Sequence, residues 1–153
     1  MKKLLQMKAM LLLCALIVGS GSVWADDYEL YSGTITEGDY VIYYNGRALK
    51  NTVSSSSNRF DYVTKNPINN VISDPEAAII WHIAPSGDYW TIYNVSVEKY
   101  AGGTTAKNQG ALLASVTDYA KWTVTGTSTY EFENLGRSNG TNSNSKWLRN
   151  NGD

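Results

Sequence analysis

His82 is the only histidine in the 153-residue chain, so any chemistry that needs an imidazole must be built around it. It lies in Ile80-Trp81-His82-Ile83, where strand alternation puts it on the face opposite Trp81 and Ile83, toward solvent. G-x-S-x-G, H-E-x-x-H and the EF-hand loop are absent, so no partner motif accompanies it and it reads as a surface histidine. Asp61, Asp74, Glu76, Asp88 and Asp118 offer carboxylates for glycoside hydrolysis, a chemistry set by their separation in space. Asp39 and Asp88 each stand in a G-D-Y triplet, where the simpler role is to cap equivalent turns. Gly102-Gly103-Thr104-Thr105-Ala106-Lys107-Asn108 lacks both the Gly before the lysine and the Ser or Thr after it that a phosphate loop needs, and reads as a hairpin turn. The chain is therefore read as a non-enzyme, with no catalytic residue, metal or cofactor.

Sugar binding asks for less. An aromatic face stacks on the apolar face of a pyranose, and amides or carboxylates take its hydroxyls. The chain has 11 Tyr and 5 Trp among many Asn, Ser, Thr and Gly, although aromatics serve cores more often than platforms.

The elements that must position such groups begin after residue 25. Lys2, Lys3 and Lys8 precede the apolar run Met10 to Val18, and Val23-Trp24-Ala25 offers a small-residue cleavage site, so residues 1–25 are expected to be a signal peptide, helical and outside the fold. The run is too short to span a bilayer, and no stop-transfer pattern follows. Leu13 before Cys14 is not the small residue that lipoprotein processing wants, which leaves simple secretion to the medium or cell surface, with no membrane association after cleavage. The single Cys and all three Met fall in this leader, so disulfides are excluded from the exported part and stability rests on an apolar core. Losing three lysines takes 13 basic residues to 10 against 14 acidic ones, a net charge of −4, which argues against nucleic acid and anionic membrane as partners.

Residues 26–153 are expected to form one all-β domain. Tyr40 to Tyr44, Ile79 to Ile83, Trp90 to Tyr93, Lys121 to Val124 and Tyr130 to Phe132 are aromatic and β-branched runs between polar turns. Asp74 to Ile80 and Gln109 to Ser115 each have room for one helical turn. E-G-D-Y-V-I-Y-Y-N at 37–45 recurs as S-G-D-Y-W-T-I-Y-N at 86–94, and a weaker copy starts at Tyr130-Glu131-Phe132-Glu133-Asn134. Return segments follow at Ala48-Leu49-Lys50-Asn51, Lys99-Tyr100-Ala101 and Trp147-Leu148-Arg149-Asn150, and Trp81 and Trp122 mark strands that close the first two units. Tyr40 to Tyr89 is 49 residues and Trp81 to Trp122 is 41, and three copies are too few for a closed propeller.

At these residues the sequence resembles the ricin-type β-trefoil lectin domains, whose repeats read roughly G-x-Y-x-I-x-N, then K-Y-L, then W-x-I. It is also similar to a recurrent module of secreted and surface proteins in gut Bacteroidetes. The resemblance implies a β-trefoil-like fold of three repeats of about 40–49 residues, with Trp81 and Trp122 in the core. The third repeat is expected to be incomplete, since its closing strands do not follow Asn150-Asn151-Gly152-Asp153, unless Tyr28 to Ile35 supplies closure. Carrying over the family's sugar pocket gives Asn51, then Phe60 or Tyr62, then Asn69 or Asn70 in the first unit. The family's Asp is replaced by Asn51 there and by Gly102 in the second unit, and its Gln before the closing Trp by Ile79 and Ala120, so only the first unit keeps a usable set. The function implied is a secreted, non-catalytic carbohydrate-binding or adhesion module, an accessory domain or fragment of a larger protein, with a glycan as ligand and a protein partner or fused domain beside it. The alternative is a structural or protein-interaction β-domain with no small ligand.

Overall fold

The computed structural model describes residues 26–138 and 148, together with the backbone of two short strands near the start, β1 (Lys3–Gln6) and β2 (Leu11–Ala15). The fold is all-β, as expected. Its body is a path of antiparallel strands: β4 (Gly38–Tyr44), β8 (Ile80–Ser86), β9 (Tyr89–Asn94), β12 (Lys121–Thr125) and β13 (Glu131–Asn134), each paired with the next. Return strands β5 (Arg47–Val53) and β10 (Lys99–Gly103) fold back along β4 and β9 and pair onward with β6 (Phe60–Thr64) and β11 (Gly110–Leu113). A separate two-stranded sheet joins β3 (Asp27–Glu29) to β7 (Val71–Ser73). Among the described residues helix is confined to single turns, 3₁₀ at Ala77–Ile79 and Asp118–Ala120 and α1 at Leu135–Ser138.

The alternating side chains of the five-strand path explain the core. Tyr40 and Ile42 of β4, Trp81 and Ile83 of β8, Ile92 of β9, Trp122 of β12 and Phe132 of β13 form one buried cluster, so the sheet curls until its two ends share a core. Tyr31 and Ile35 join this cluster, and the Gly33 N–H donates to the Tyr130 hydroxyl at 3.1 Å, which ties the segment before β4 to the one before β13. Tyr28 instead belongs to a second cluster with Val41, Tyr43 and Ile72.

One hydrogen bond is written twice. The Trp81 indole N–H donates to the Leu49 carbonyl at 3.0 Å, and the Trp122 indole N–H donates to the Ala101 carbonyl at 3.0 Å. Each Trp thereby fastens the closing strand of a unit to its return strand, and both are buried as expected.

Pairing corrects the alignment of the repeated phrase by one residue. Tyr40 stands opposite Trp81, whereas Trp90, not Tyr89, stands opposite Trp122. Asn94 and Asn134 face Trp81 and Trp122 respectively, as follows from Ile83↔Ile92 and Trp122↔Asn134, so the counterpart of Asn94 in the first unit is Tyr44 and not Asn45. Asn45 and Gly46, at φ 44° and 77°, instead make the two-residue turn between Tyr44 and Arg47. The two aspartates are not equivalent either: Gly87 and Asp88 turn the chain between Ser86 and Tyr89, while Asp39 lies within β4.

Two other expectations differ. Gln109 to Ser115 contains a strand in place of a helical turn, because β11 pairs with β10 from Gly103↔Gly110 to Tyr100↔Leu113 and the Phe60 ring packs where a Gly110 side chain would stand. The N-terminal segments Lys3–Gln6 and Leu11–Ala15 are strands where a helix outside the fold was expected. Strand β2 lies antiparallel on β4 with Leu12↔Ile42 and Cys14↔Tyr40 in register, because the outer edge of β4 offers N–H and C=O groups that an extended segment satisfies. An incomplete third repeat would leave an unpaired sheet edge near Phe132 or Trp147; at Phe132 the edge is partly covered, since the Leu148 N–H donates to the Phe132 carbonyl at 3.0 Å, and Trp147 lies outside the described residues.

Candidate functional site

The first unit places its four expected site residues in three different settings. Asn51, near the end of β5, is only 5 % exposed, and its amide nitrogen donates to Asn94 Oδ1 and Ser96 Oγ, each at 2.9 Å. Its donor side thus joins the first unit to the turn of the second. Tyr62 on β6 is 51 % exposed, and the Arg47 guanidinium stands 4.3 Å from its ring centroid, because β5 and β6 pair Arg47 with Thr64 two residues along. A cation held over an exposed ring contributes about 0.5–1 kcal/mol and fixes the ring's orientation. The other aromatic weighed for this role, Phe60, turns inward and meets Trp81 edge-on, with centroids 6.4 Å apart at 86°.

Asn69 and Asn70 form a turn of their own. Both have positive φ, 52° and 65°, and Ile68 and Val71 exchange two backbone hydrogen bonds of 2.9 Å around them. Asn tolerates this left-handed backbone better than most residues, which accounts for the pair without a ligand. Both side chains are exposed, and the Asn70 carbonyl accepts from the Leu30 N–H at 3.0 Å. The structure therefore brings Tyr62 to Arg47 and Asn51 to Asn94, and sets Asn69 and Asn70 in an exposed hairpin of the same unit.

Beyond β6, Lys65 Nζ lies 2.6 Å from Glu76 Oε2. Burial pushes the Glu76 carboxyl up, but the hydrogen bond from Lys65, a backbone hydrogen bond and the charges of Lys65 and Lys50 together outweigh it and hold the group below its ordinary value. A carboxyl depressed on folding contributes stability above its unfolded pKa and loses it as pH falls through the folded one. Comparing chemical unfolding of the wild type and Glu76→Gln should accordingly show the wild type ahead at neutral pH, with the gap closing in the acidic range. A gap that persists at low pH would count against this ion pair.

Sequence reasoning missed one polar cluster. Asp39 and His82 are cross-strand neighbours on β4 and β8, with His82 Nδ1 2.8 Å from Asp39 Oδ1 and Nε2 3.6 Å from Glu37 Oε1. The same row continues through Tyr93 of β9 to Tyr100 of β10, whose rings stand 4.7 Å apart. Alternation against Trp81 put His82 on the outer face, and alternation against Tyr40 could have put Asp39 there as well, but only strand register makes them neighbours. Arg137 was missed as well. It is buried against Gly103, and its Nη1 donates to the carbonyls of Thr104 at 3.3 Å and Thr105 at 2.7 Å.

Among the described residues, no group of three or more His, Cys, Asp or Glu could hold a metal ion, and no helix is long and apolar enough to cross a membrane. Compared with known protein families, curated proteins and solved structures, the chain matches none.

Proposed function

We propose that the chain is a secreted, non-catalytic carbohydrate-binding or adhesion module, built as a β-trefoil-like domain and serving as an accessory part of a larger secreted protein. The trefoil reading is supported by the alternation of unit-opening and Trp-bearing strands along β4–β8–β9–β12–β13 and by the repeated indole-to-carbonyl bond. The glycan reading rests on one observation. Tyr62 is the one exposed aromatic among the described residues of a protein that otherwise packs its rings at least partly inside.

A ring in that setting stacks on the apolar face of a pyranose, and the Arg47 guanidinium beside it donates to hydroxyls. The amides of Asn69 and Asn70 supply further contacts from the exposed hairpin, and Asn51 holds the first unit's return strand against the second. So few contacts on an open surface imply an affinity near ~1 mM for a monosaccharide, with useful avidity arising from linked copies.

A glycan array probed with wild type and Tyr62→Ala tests this. The expected result is glycan binding that falls about tenfold or more in the variant, with the urea midpoint nearly unchanged because the ring is exposed. Equal binding by the two proteins would remove Tyr62 from the site, and no bound glycan would overturn the reading.

A further inference from the structure

The two Trp-bearing strands occupy equivalent places. Strand β8 lies between β4 and β9, and β12 lies between β9 and β13. Each brings a Trp-x-(Ile/Val) triplet, Trp81-His82-Ile83 or Trp122-Thr123-Val124, in the same register. The Trp stands opposite Tyr40 or Trp90 on one side and opposite Asn94 or Asn134 on the other, and the Ile or Val stands opposite Ile92 or Phe132. Its indole donates to the carbonyl of Leu49 or Ala101.

A third place of the same kind is defined between β13 and β4. Continuing the hairpin registers puts Leu49 beside Ile42 and Ala101 beside Ile92, and Leu148 donates its N–H to the carbonyl of Phe132. Leu148 is thus the third member of the series, and it too is buried. Tyr31 and Ile35 cover the end of the core near Tyr130, but along Asp39 to Tyr43 the outer edge of β4 is lined by β2. Among the described residues β12 is the one strand paired with β13. If residues 1–25 leave on export, the strand that covers the β4 edge goes with them.

We propose that this place is a strand-acceptor slot that takes an extended Trp-x-(Ile/Val) segment presented by another polypeptide. By the repeated register, the incoming Trp stands opposite Tyr130 and Tyr44, its indole donates to the Leu148 carbonyl, and the Ile or Val two residues on stands opposite Ile42. Backbone pairing along β4 supplies affinity, and the indole place supplies selectivity. Strand β2 is the resident occupant in the full chain, since it runs antiparallel on β4 as such a segment must. The inference does not depend on glycan binding.

The test titrates the full 153-residue chain with a synthetic peptide of the sequence Ala120 to Thr125 and with the same peptide carrying Trp122→Ala. Calorimetry reads binding, and amide hydrogen exchange reads residues 39–43. A chain carrying Leu13→Pro, which removes an N–H from the middle of β2, is titrated in parallel. The expected results are binding of the Trp peptide to the wild type and binding about tenfold tighter to the Leu13→Pro chain. The Ala peptide should bind about tenfold more weakly, and in the Leu13→Pro chain amides 39–43 should be protected only when the Trp peptide is bound, whereas β2 protects them in the wild type. Failure of the peptide to bind either chain, or equal binding of the two peptides, overturns the slot. A Leu13→Pro chain that self-associates and is not dissociated by the peptide overturns the choice of occupant in favour of a second copy.

Discussion

Trp81→Ala and Trp122→Ala are each expected to lower the free energy of unfolding by about 3–5 kcal/mol. Both side chains are buried, at 0 % and 3 % exposure, in the cluster where all five strands of the path meet, and neither cavity can collapse without moving a strand. Each substitution also strands a carbonyl that the indole satisfied, Leu49 in one case and Ala101 in the other. Phe in place of Trp separates the two contributions, since it keeps most of the ring volume and loses the N–H. Urea unfolding followed by circular dichroism gives the measurement. A loss under about 1 kcal/mol for either Ala variant would mean that the residue lies at the surface and that the repeat does not organise the core.

Asn94→Ala is expected to be nearly as damaging, at about 3 kcal/mol, although it removes no large apolar group. Asn94 is fully buried, and its amide nitrogen donates to the carbonyls of Ala77 and Ile80, each at 2.9 Å. Its Oδ1 accepts from the Asn51 amide, the Ser96 N–H and hydroxyl, and the Val97 N–H. One side chain thus satisfies the 3₁₀ turn that leads into Trp81, the turn after β9 and the end of β5. Truncation leaves several of these groups unpaired away from water, and each such group costs about 1–3 kcal/mol before relaxation. The comparison variant is Asn45→Gly, which should change stability by no more than about 0.5 kcal/mol because glycine suits the positive φ of that turn. If both variants were equally destabilised, the repeated phrase would be aligned as its letters suggest and the register given by pairing would be wrong.

That contrast shows what was legible in the sequence. Runs of aromatic and β-branched residues located the main strands, and the 41-residue spacing of Trp81 and Trp122 located two equivalent core positions. Identity of residues was a poorer guide than register. G-D-Y is strand at 38–40 and turn followed by strand at 87–89, because the tight turn after Ser86 uses up Gly87 and Asp88, whereas β4 is entered through a longer segment. For the same reason Asp39 appeared as a cap and is a partner of His82.

The candidate site was legible in part. The outward aromatic of β6 came down to Phe60 or Tyr62, which the shared core decides, since Phe60 reaches Trp81 while Tyr62 falls at the rim beside Arg47. Family order alone could not tell an amide that faces a ligand from one that faces Asn94, and Asn51 proved to donate inward. Residues 1–25 were read from their composition alone. Pairing of β2 with β4 depends on an edge left by strands far along the chain, which no local pattern reports.

The central claim, that a glycan is held at the first unit by the exposed ring of Tyr62, is tested most directly by an NMR titration of the protein with a panel of mono- and oligosaccharides. The account predicts fast-exchange shifts centred on Tyr62 and Arg47 and extending to Asn69 and Asn70, with no comparable change around Trp90 or Asn108. Shifts centred on the second unit, or none with any sugar, would contradict it.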